Sequence, residues 1–213
     1  MTRSRIVRTF LGQLALLLFG GVLGTLCDQL HVRFGVLWYP HPSYWLGGPG
    51  GQAAWVPPLF AGAALVLVNG YRPIGRWLHD DDPAPRWRVV LPLAWFVAAY
   101  VATALLAPHP RSLTALLVLT WLGRVAVYPH RATVVYAITC AIAGPAFEAA
   151  LSSTGAFFYT RPAWLVPEWL PALYLHLAPL VRHVHAAFFR DQRPSGAIAE
   201  PAPYLSFKNL ERE

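Results

Sequence analysis

Val89-Val90-Leu91-Pro92-Leu93-Ala94-Trp95-Phe96-Val97-Ala98-Ala99-Tyr100-Val101-Ala102-Thr103-Ala104-Leu105-Leu106-Ala107 contains no charged side chain. A helix of that length rises far enough to cross a hydrocarbon core of about 30 Å. Arg86 and Arg88 precede the run and Pro108 ends it, so its limits can be read directly. Five further segments follow the same design, at about residues 9–27, 53–71, 112–128, 132–152 and 167–189. The expected fold class is all-α, an integral membrane bundle of six transmembrane helices. Residues 1–190 form that domain, and residues 191–213, with Pro194, Gly196, Pro201 and Pro203, form a disordered cytoplasmic tail.

Composition supports this reading. The 213 residues are 56% hydrophobic and 13% charged, with mean hydropathy +0.42. Soluble domains carry roughly 25% charged residues. The net charge of +7 forms no stripe of the kind that tracks nucleic acid. Instead the basic residues gather at span ends. Twelve fall on one side, in the N-terminus, in 72–88, at Arg131 and in the tail. The other side receives only Arg33, Arg111 and Arg161. Positive-inside orientation therefore puts both termini in the cytoplasm. Arg124 and Arg182 lie within spans near that face, where snorkelling reaches water. Sixteen of the seventeen basic residues are Arg, a skew that points to a GC-rich bacterial genome and hence to a bacterial plasma membrane.

The ends and connections are consistent with six retained spans. Gly24-Thr25-Leu26-Cys27 resembles a lipoprotein cleavage site, but Leu26 stands where a small residue is needed. Residues 28–52 are rich in Gly, Pro and interfacial aromatics, including Trp38, Tyr39, Tyr44 and Trp45. Residues 72–88, with Asp80, Asp81 and Asp82, read as a solvated charged loop. Pro108–Arg111 and Pro129–Arg131 are short, which makes spans three, four and five antiparallel neighbours.

Polar residues within spans are the candidates for function, since ionisable groups are costly in hydrocarbon. Glu148 has two readings, an interfacial carboxylate paired with Arg161 or a contact for a ligand head group. His176 lies in mid-span six, with His183 and His185 following. Their spacing lacks the i, i+3 or i+4 pair that two metal ligands on one helix use, so no metal or other cofactor is expected. No nucleophile–base set or phosphate-binding loop stands in a plausible context, so no catalytic residue is assigned. Cys27 and Cys140 read as small buried hydrophobes.

Three stretches resemble the Insig family. They are Trp55-Val56-Pro57-Pro58 with Gly62, the run from Thr154 through Tyr159-Thr160-Arg161-Pro162, and Trp169-Leu170-Pro171 at the opening of the last span. Trp95-Phe96-Val97 is similar to the family's third span. The resemblance covers residues 10–190 and implies a six-span bundle that binds oxysterol within the membrane. Animal members also bind the sterol-sensing domain of Scap. Where they carry Asp-Arg-x-Arg this chain has Tyr128-Pro129-His130-Arg131, and Arg111 replaces a family Gln, which predicts no partnership with animal-type Scap. The implied ligand is a membrane lipid, either a sterol or, in a host without sterols, a diacylglycerol-like molecule. Prolines 57, 58, 145, 171 and 179 favour kinked spans and a cleft. The cleft is expected between Trp55, Phe96 and Glu148, with Ser152, Tyr159 and His176 as further contacts. Phe96 would meet the apolar body of the ligand, and Glu148 with Ser152 its polar end. A small transporter, or a lipid-modifying enzyme built on the His176–His185 segment, are the alternative readings. A homo-oligomer is left open.

The charge asymmetry makes a direct prediction. Reporter fusions after Arg190 and within 72–88 should report cytoplasm, and fusions near Gly48 and Arg161 the opposite side. An external signal after Arg190 would mean the spans are miscounted.

Overall fold

Helical rods run up and down through the computed structural model, which describes residues 3–43, 50–80 and 86–189. In order they are α1 (Arg3–Arg33), α2 (Val56–Trp77), α3 (Val90–Leu106, entered through a 3-10 turn over Arg86–Val89), α4 (Pro110–Val127) and α5 (Arg131–Ser153). The last rod is broken into α6 (Leu170–Leu175) and α7 (Leu177–Phe189). The break at His176 has a local cause. Pro179 has no N–H to offer the Leu175 carbonyl, and its ring crowds that position. Two short strands, β1 (Leu37–Trp38) and β2 (Phe158–Tyr159), pair antiparallel, with Leu37 opposite Tyr159. This ribbon joins the segment after α1 to the segment after α5. The tail assigned to residues 191–213 lies outside the described residues.

Among the described residues, three helices are long and apolar enough to cross a membrane, over Thr9–Arg33, Trp87–Leu106 and Arg131–Ser153. The other rods carry more interruptions: Asn69, Arg72 and Arg76 in α2, Arg111 and Arg124 in α4, and the α6–α7 break. Their outward faces are still apolar. Val66 of α2 is 73% exposed and Leu119 of α4 66%. Exposed Trp77, Trp87 and Tyr128 mark one end of the bundle and exposed Trp164 the other. An outer face of aliphatic residues between aromatic borders fits hydrocarbon between two interfaces.

α1 continues well beyond residue 27, the limit expected from hydropathy, and ends only at Arg33. It closes in a Schellman motif, with Val36 N–H on His31 O (2.8 Å) and Gly35 N–H on Val32 O (3.1 Å). Gly35 has φ +65°, a conformation that its missing Cβ makes inexpensive. α1 packs on α2 through Gly20, Gly21 and Gly24. A Cβ at Gly20 would sit 2.1 Å from the Ala64 Cβ, and one at Gly24 2.3 Å from the Phe60 ring. Without a hydrophobic drive between helices in lipid, such close backbone approach supplies the dispersion contact that holds them.

The loop after α2 is not simply solvated. Its Asp80 accepts hydrogen bonds from Tyr71 of α2 (2.5 Å) and from Arg182 of α7 through Nε and Nη2 (3.0 Å each). His130, the N-cap of α5, lies 2.9 Å from the same carboxylate. Arg182 therefore does not snorkel but closes a clamp over three helices. Burial would raise the Asp80 carboxyl, but the Arg182 and Tyr71 hydrogen bonds and the nearby positive charge of Arg182 and His130 outweigh it and bring it down to about 2 from 3.8. A depressed carboxyl contributes stability fully above its unfolded value and loses it as pH falls through the folded one. Thermal stability in detergent should therefore hold down to about pH 4 and decline from there toward pH 2. Asp80→Asn should cost about 1–3 kcal/mol at neutral pH and flatten that acid limb. An unchanged acid limb in the variant would show that Asp80 is not the group responsible.

Candidate ligand cleft

Among the described residues an empty space lies between α1, α2, α3 and the α6–α7 rod. It is a cavity of about 120 Å³ within a cleft that, with its open mouth, contains about 800 Å³. α1 contributes Leu16, Phe19, Gly20, Leu23, Gly24 and Cys27, a single helical face at three- and four-residue steps. Phe60, Ala64 and Val68 of α2 face them, with Phe96 and Tyr100 of α3, and Tyr174, Leu177 and Val181 of the last rod. The lining is almost wholly apolar. Its oxygen-bearing side chains are the tyrosines Tyr100 and Tyr174.

These two tyrosines lead to a polar cluster at the ribbon end. Tyr174 donates to Glu148 Oε1 (2.6 Å), and Tyr159 donates to Glu148 Oε2. β2 positions Tyr159 for this bond, and Gly144 allows the Tyr174 ring to lie against α5, since a Cβ there would sit 2.2 Å from that ring. A second carboxylate, Asp28, is 6% exposed and accepts from Tyr39 (2.9 Å) and from Gln52 Nε2 (2.6 Å). Gln52 also donates to Thr25 O (2.8 Å). Beside it His31 stacks on Tyr100, ring centroids 4.9 Å apart, and lies 2.8 Å from Thr103 Oγ1. Thr103 spends its single proton on Tyr100 O (2.7 Å), so His31 Nε2–H is the donor in that pair. Neither Asp28 nor Glu148 has a cationic partner among the described residues; each is held by neutral donors.

The residues expected from sequence are placed as follows. Phe96 lines the cavity, edge-on to Tyr100 at 5.1 Å. Glu148 and Tyr159 come together, but behind Tyr174 rather than at the cavity wall. Glu148 does not pair with Arg161, which is exposed. Ser152 is buried and donates to Phe157 O (3.2 Å), fixing the exit of α5. Trp55 caps α2 and meets Tyr39 edge-on at 5.6 Å, away from the cavity. His176 Nε2 lies 2.9 Å from Leu117 O, facing α4. Among the described residues no three His, Cys, Asp or Glu side chains gather into a metal-binding group. The empty space thus differs from the expected cleft: α5 contributes no wall because Tyr174 fills the room beside it, and α1 contributes a whole face.

Asp28, His31 and Gln52 escaped sequence reading because they fall just past an apolar run, where loop is the default. The available signal was Asp28 and His31 at i and i+3, the spacing of one helical face continuing from the span.

Comparison with known proteins follows the same lines. The model of a family described as "Protein of unknown function (DUF2878)" matches residues 87–207. No curated protein sequence matches the chain. Two crystal structures share the fold. One is a mycobacterial Insig homologue, MvINS from Mycobacterium vanbaalenii, 25% identical, with TM-score 0.68 over 86% of this chain and 96% of that one. The other is a cross-linked trimer of MvINS, 24% identical, with the same TM-score and coverage.

The Tyr174–Glu148 bond can be tested by a double-mutant cycle on thermal stability in detergent. Tyr174→Phe leaves a carboxylate oxygen without its donor and should cost about 1–3 kcal/mol. Glu148→Gln alters the same hydrogen bond from its other side, so the double variant should be more stable than the sum of the singles by about 0.5 kcal/mol or more. Simple additivity would show that the two side chains do not cooperate.

Proposed function

We propose, for a chain that belongs to the DUF2878 family and has the Insig-like membrane fold, that it binds one membrane lipid in the cleft between α1, α2, α3 and α6–α7. The observation that carries this reading is the combination of an apolar cavity with a polar end of two tyrosines backed by a carboxylate. The enclosed cavity, about 120 Å³, is a foothold for one end or segment of a lipid whose remainder lies in the open mouth of the cleft. The occupant is a sterol or diacylglycerol-like molecule, apolar along its length and carrying a hydroxyl or ester at one end. Phe96 contacts the apolar body. Tyr100 and Tyr174 meet the polar end, and Glu148 and Tyr159 act through Tyr174. Trp55, Ser152 and His176 hold the surrounding helices rather than the lipid.

The bundle is read as six spans over residues 1–190 with both termini in the cytoplasm of a bacterial plasma membrane, the Asp80 end facing inward. Twelve of the seventeen Lys and Arg then lie on the cytoplasmic side. The protein acts as a binding protein rather than an enzyme and does not engage animal-type Scap. The trimer of its structural neighbour supports a homo-oligomeric assembly.

Native mass spectrometry of the purified chain, followed by lipid extraction, tests the reading. Wild type should retain one lipid per protomer. Val181→Trp, which fills the cavity from α7, should lose it while remaining folded, and Glu148→Gln should weaken retention by about 1 kcal/mol. Wild-type protein without stoichiometric lipid would refute the proposal.

A further inference from the structure

Arg124 stands away from the cleft with a buried nitrogen that has no hydrogen-bond partner. Arg124 lies in the last turn of α4, at the Asp80 end of the bundle. Its guanidinium carbon sits 5.6 Å from the centre of the Trp95 ring of α3. None of its nitrogens makes a hydrogen bond or ion pair among the described residues, and Nη1 is fully buried and unsatisfied. His176, whose Nε2 meets Leu117 O of the same helix α4, likewise has its Nδ1 buried without a partner. Among the described residues no carboxylate pairs with it. Asp80, on the same side of the bundle, is already engaged by Arg182, Tyr71 and His130.

Snorkelling does not relieve this charge. Helical side chains lean toward the N-terminus of their own helix, and the N-terminus of α4 lies at the opposite face. Arg124 therefore rests on the Trp95 ring, within the last turn of α4. The cation–π contact offsets part of the desolvation but supplies no hydrogen-bond acceptor. A guanidinium carries five N–H donors in a planar fork suited to paired anionic oxygens. The helix faces that carry this pair are apolar toward the same end: Leu91, four residues before Trp95, and Val127, three after Arg124, are both exposed. Trp87, Arg88 and Tyr128 border the same end, exposed, as an interfacial aromatic and basic rim.

We infer that Arg124 and Trp95 form a site for the phosphodiester of an anionic phospholipid in the leaflet on the Asp80 side, held against the outer faces of α3 and α4. The phosphate meets the fork of the guanidinium while the acyl chains of the lipid run toward the middle of the bilayer along the outer faces of α3 and α4. The site is distinct from the cleft, because Arg124 and Trp95 are not among the residues that line it.

The test uses the full chain in nanodiscs of phosphatidylcholine with increasing phosphatidylglycerol, followed by release and native mass spectrometry. Wild type should retain phosphatidylglycerol in preference to phosphatidylcholine by about tenfold or more. Arg124→Gln should abolish that preference and Arg124→Lys should keep part of it, because a point charge remains without the planar fork. The neutral lipid of the cleft should stay bound in all three, so failure here is separable from failure of the cleft reading. Glycerol phosphate in solution should neither displace the lipid nor raise thermal stability; if it does both, the site serves a soluble phosphate and the inference fails. Equal retention of the two lipids by wild type overturns it without recourse to any variant. So does a change of oligomeric state in Arg124→Gln with lipid preference intact, which would assign the contact to a second copy of the chain.

Discussion

Two carboxylates without cations organise the ribbon end of this bundle. In hydrocarbon each unsatisfied polar group costs several kcal/mol, so a carboxylate there must draw donors from wherever the chain can bring them. Asp28 draws Tyr39 and Gln52, which fixes the long connection between α1 and α2 back onto α1 at both of its ends. Glu148 draws Tyr159 from the ribbon and Tyr174 from α6. The ribbon then makes sense as a spacer: pairing Leu37 with Tyr159 sets one connection against the other so that the tyrosine reaches its acid. Aromatic packing fills the volume between, with Phe157, Tyr159 and Trp169 in successive edge-on contacts. Removing either carboxylate would free its donors as well, which is why the two connections behave as parts of the bundle and not as loops.

The opposite end is built on different chemistry. Asp80 is an ion-pair centre, close enough to the interface to be worth forming and ordered by a Schellman turn in which Asp80 N–H reaches Gly75 O at 2.8 Å. His79 occupies the left-handed position of that turn, with φ +53°. A non-glycine residue tolerates this only where the surrounding structure holds it, and here Asp80, one residue on, is tied to α2, α5 and α7. The bundle is thus fastened at both ends by polar contacts that an apolar mid-section cannot provide.

The helices were legible in the sequence because lipid imposes one rule on every span: a long apolar run bounded by charge or proline. Residues 89–107 and 132–152 obey it and match α3 and α5 within about two residues, the usual uncertainty of helix ends. The same rule misplaced the end of α1, since it treats Asp28 as an exit to water. That error concealed the polar cluster, because Asp28, His31 and Gln52 belong together only once α1 continues to Arg33. Phe96 could be singled out through family resemblance, and it does face the empty space. Tyr174 could not. Its role depends on Gly144, on another helix thirty residues earlier in the chain, leaving room for its ring, a relation between distant positions that no local pattern records.

The position of the cavity follows from these constraints. Hydrogen bonds lock the helices at the ribbon end, and the Asp80 clamp locks them at the other. Between these levels Gly20 and Gly24 commit α1 tightly to α2. The α1–α2 pair therefore moves as one wall. Opposite it, the α6–α7 rod is broken at His176 because Pro179 cannot continue the hydrogen-bond ladder. A rod with a break at mid-height, facing a rigid pair and fastened at both ends, cannot follow that wall closely along its whole length. The shortfall in packing collects at the level of Phe96, Leu177 and Val181, where the cavity is found. Tyr174 stands just on the ribbon side of the break, with its ring at the cavity and its hydroxyl on Glu148, so the one side chain belongs to both the empty space and the polar cluster that closes it.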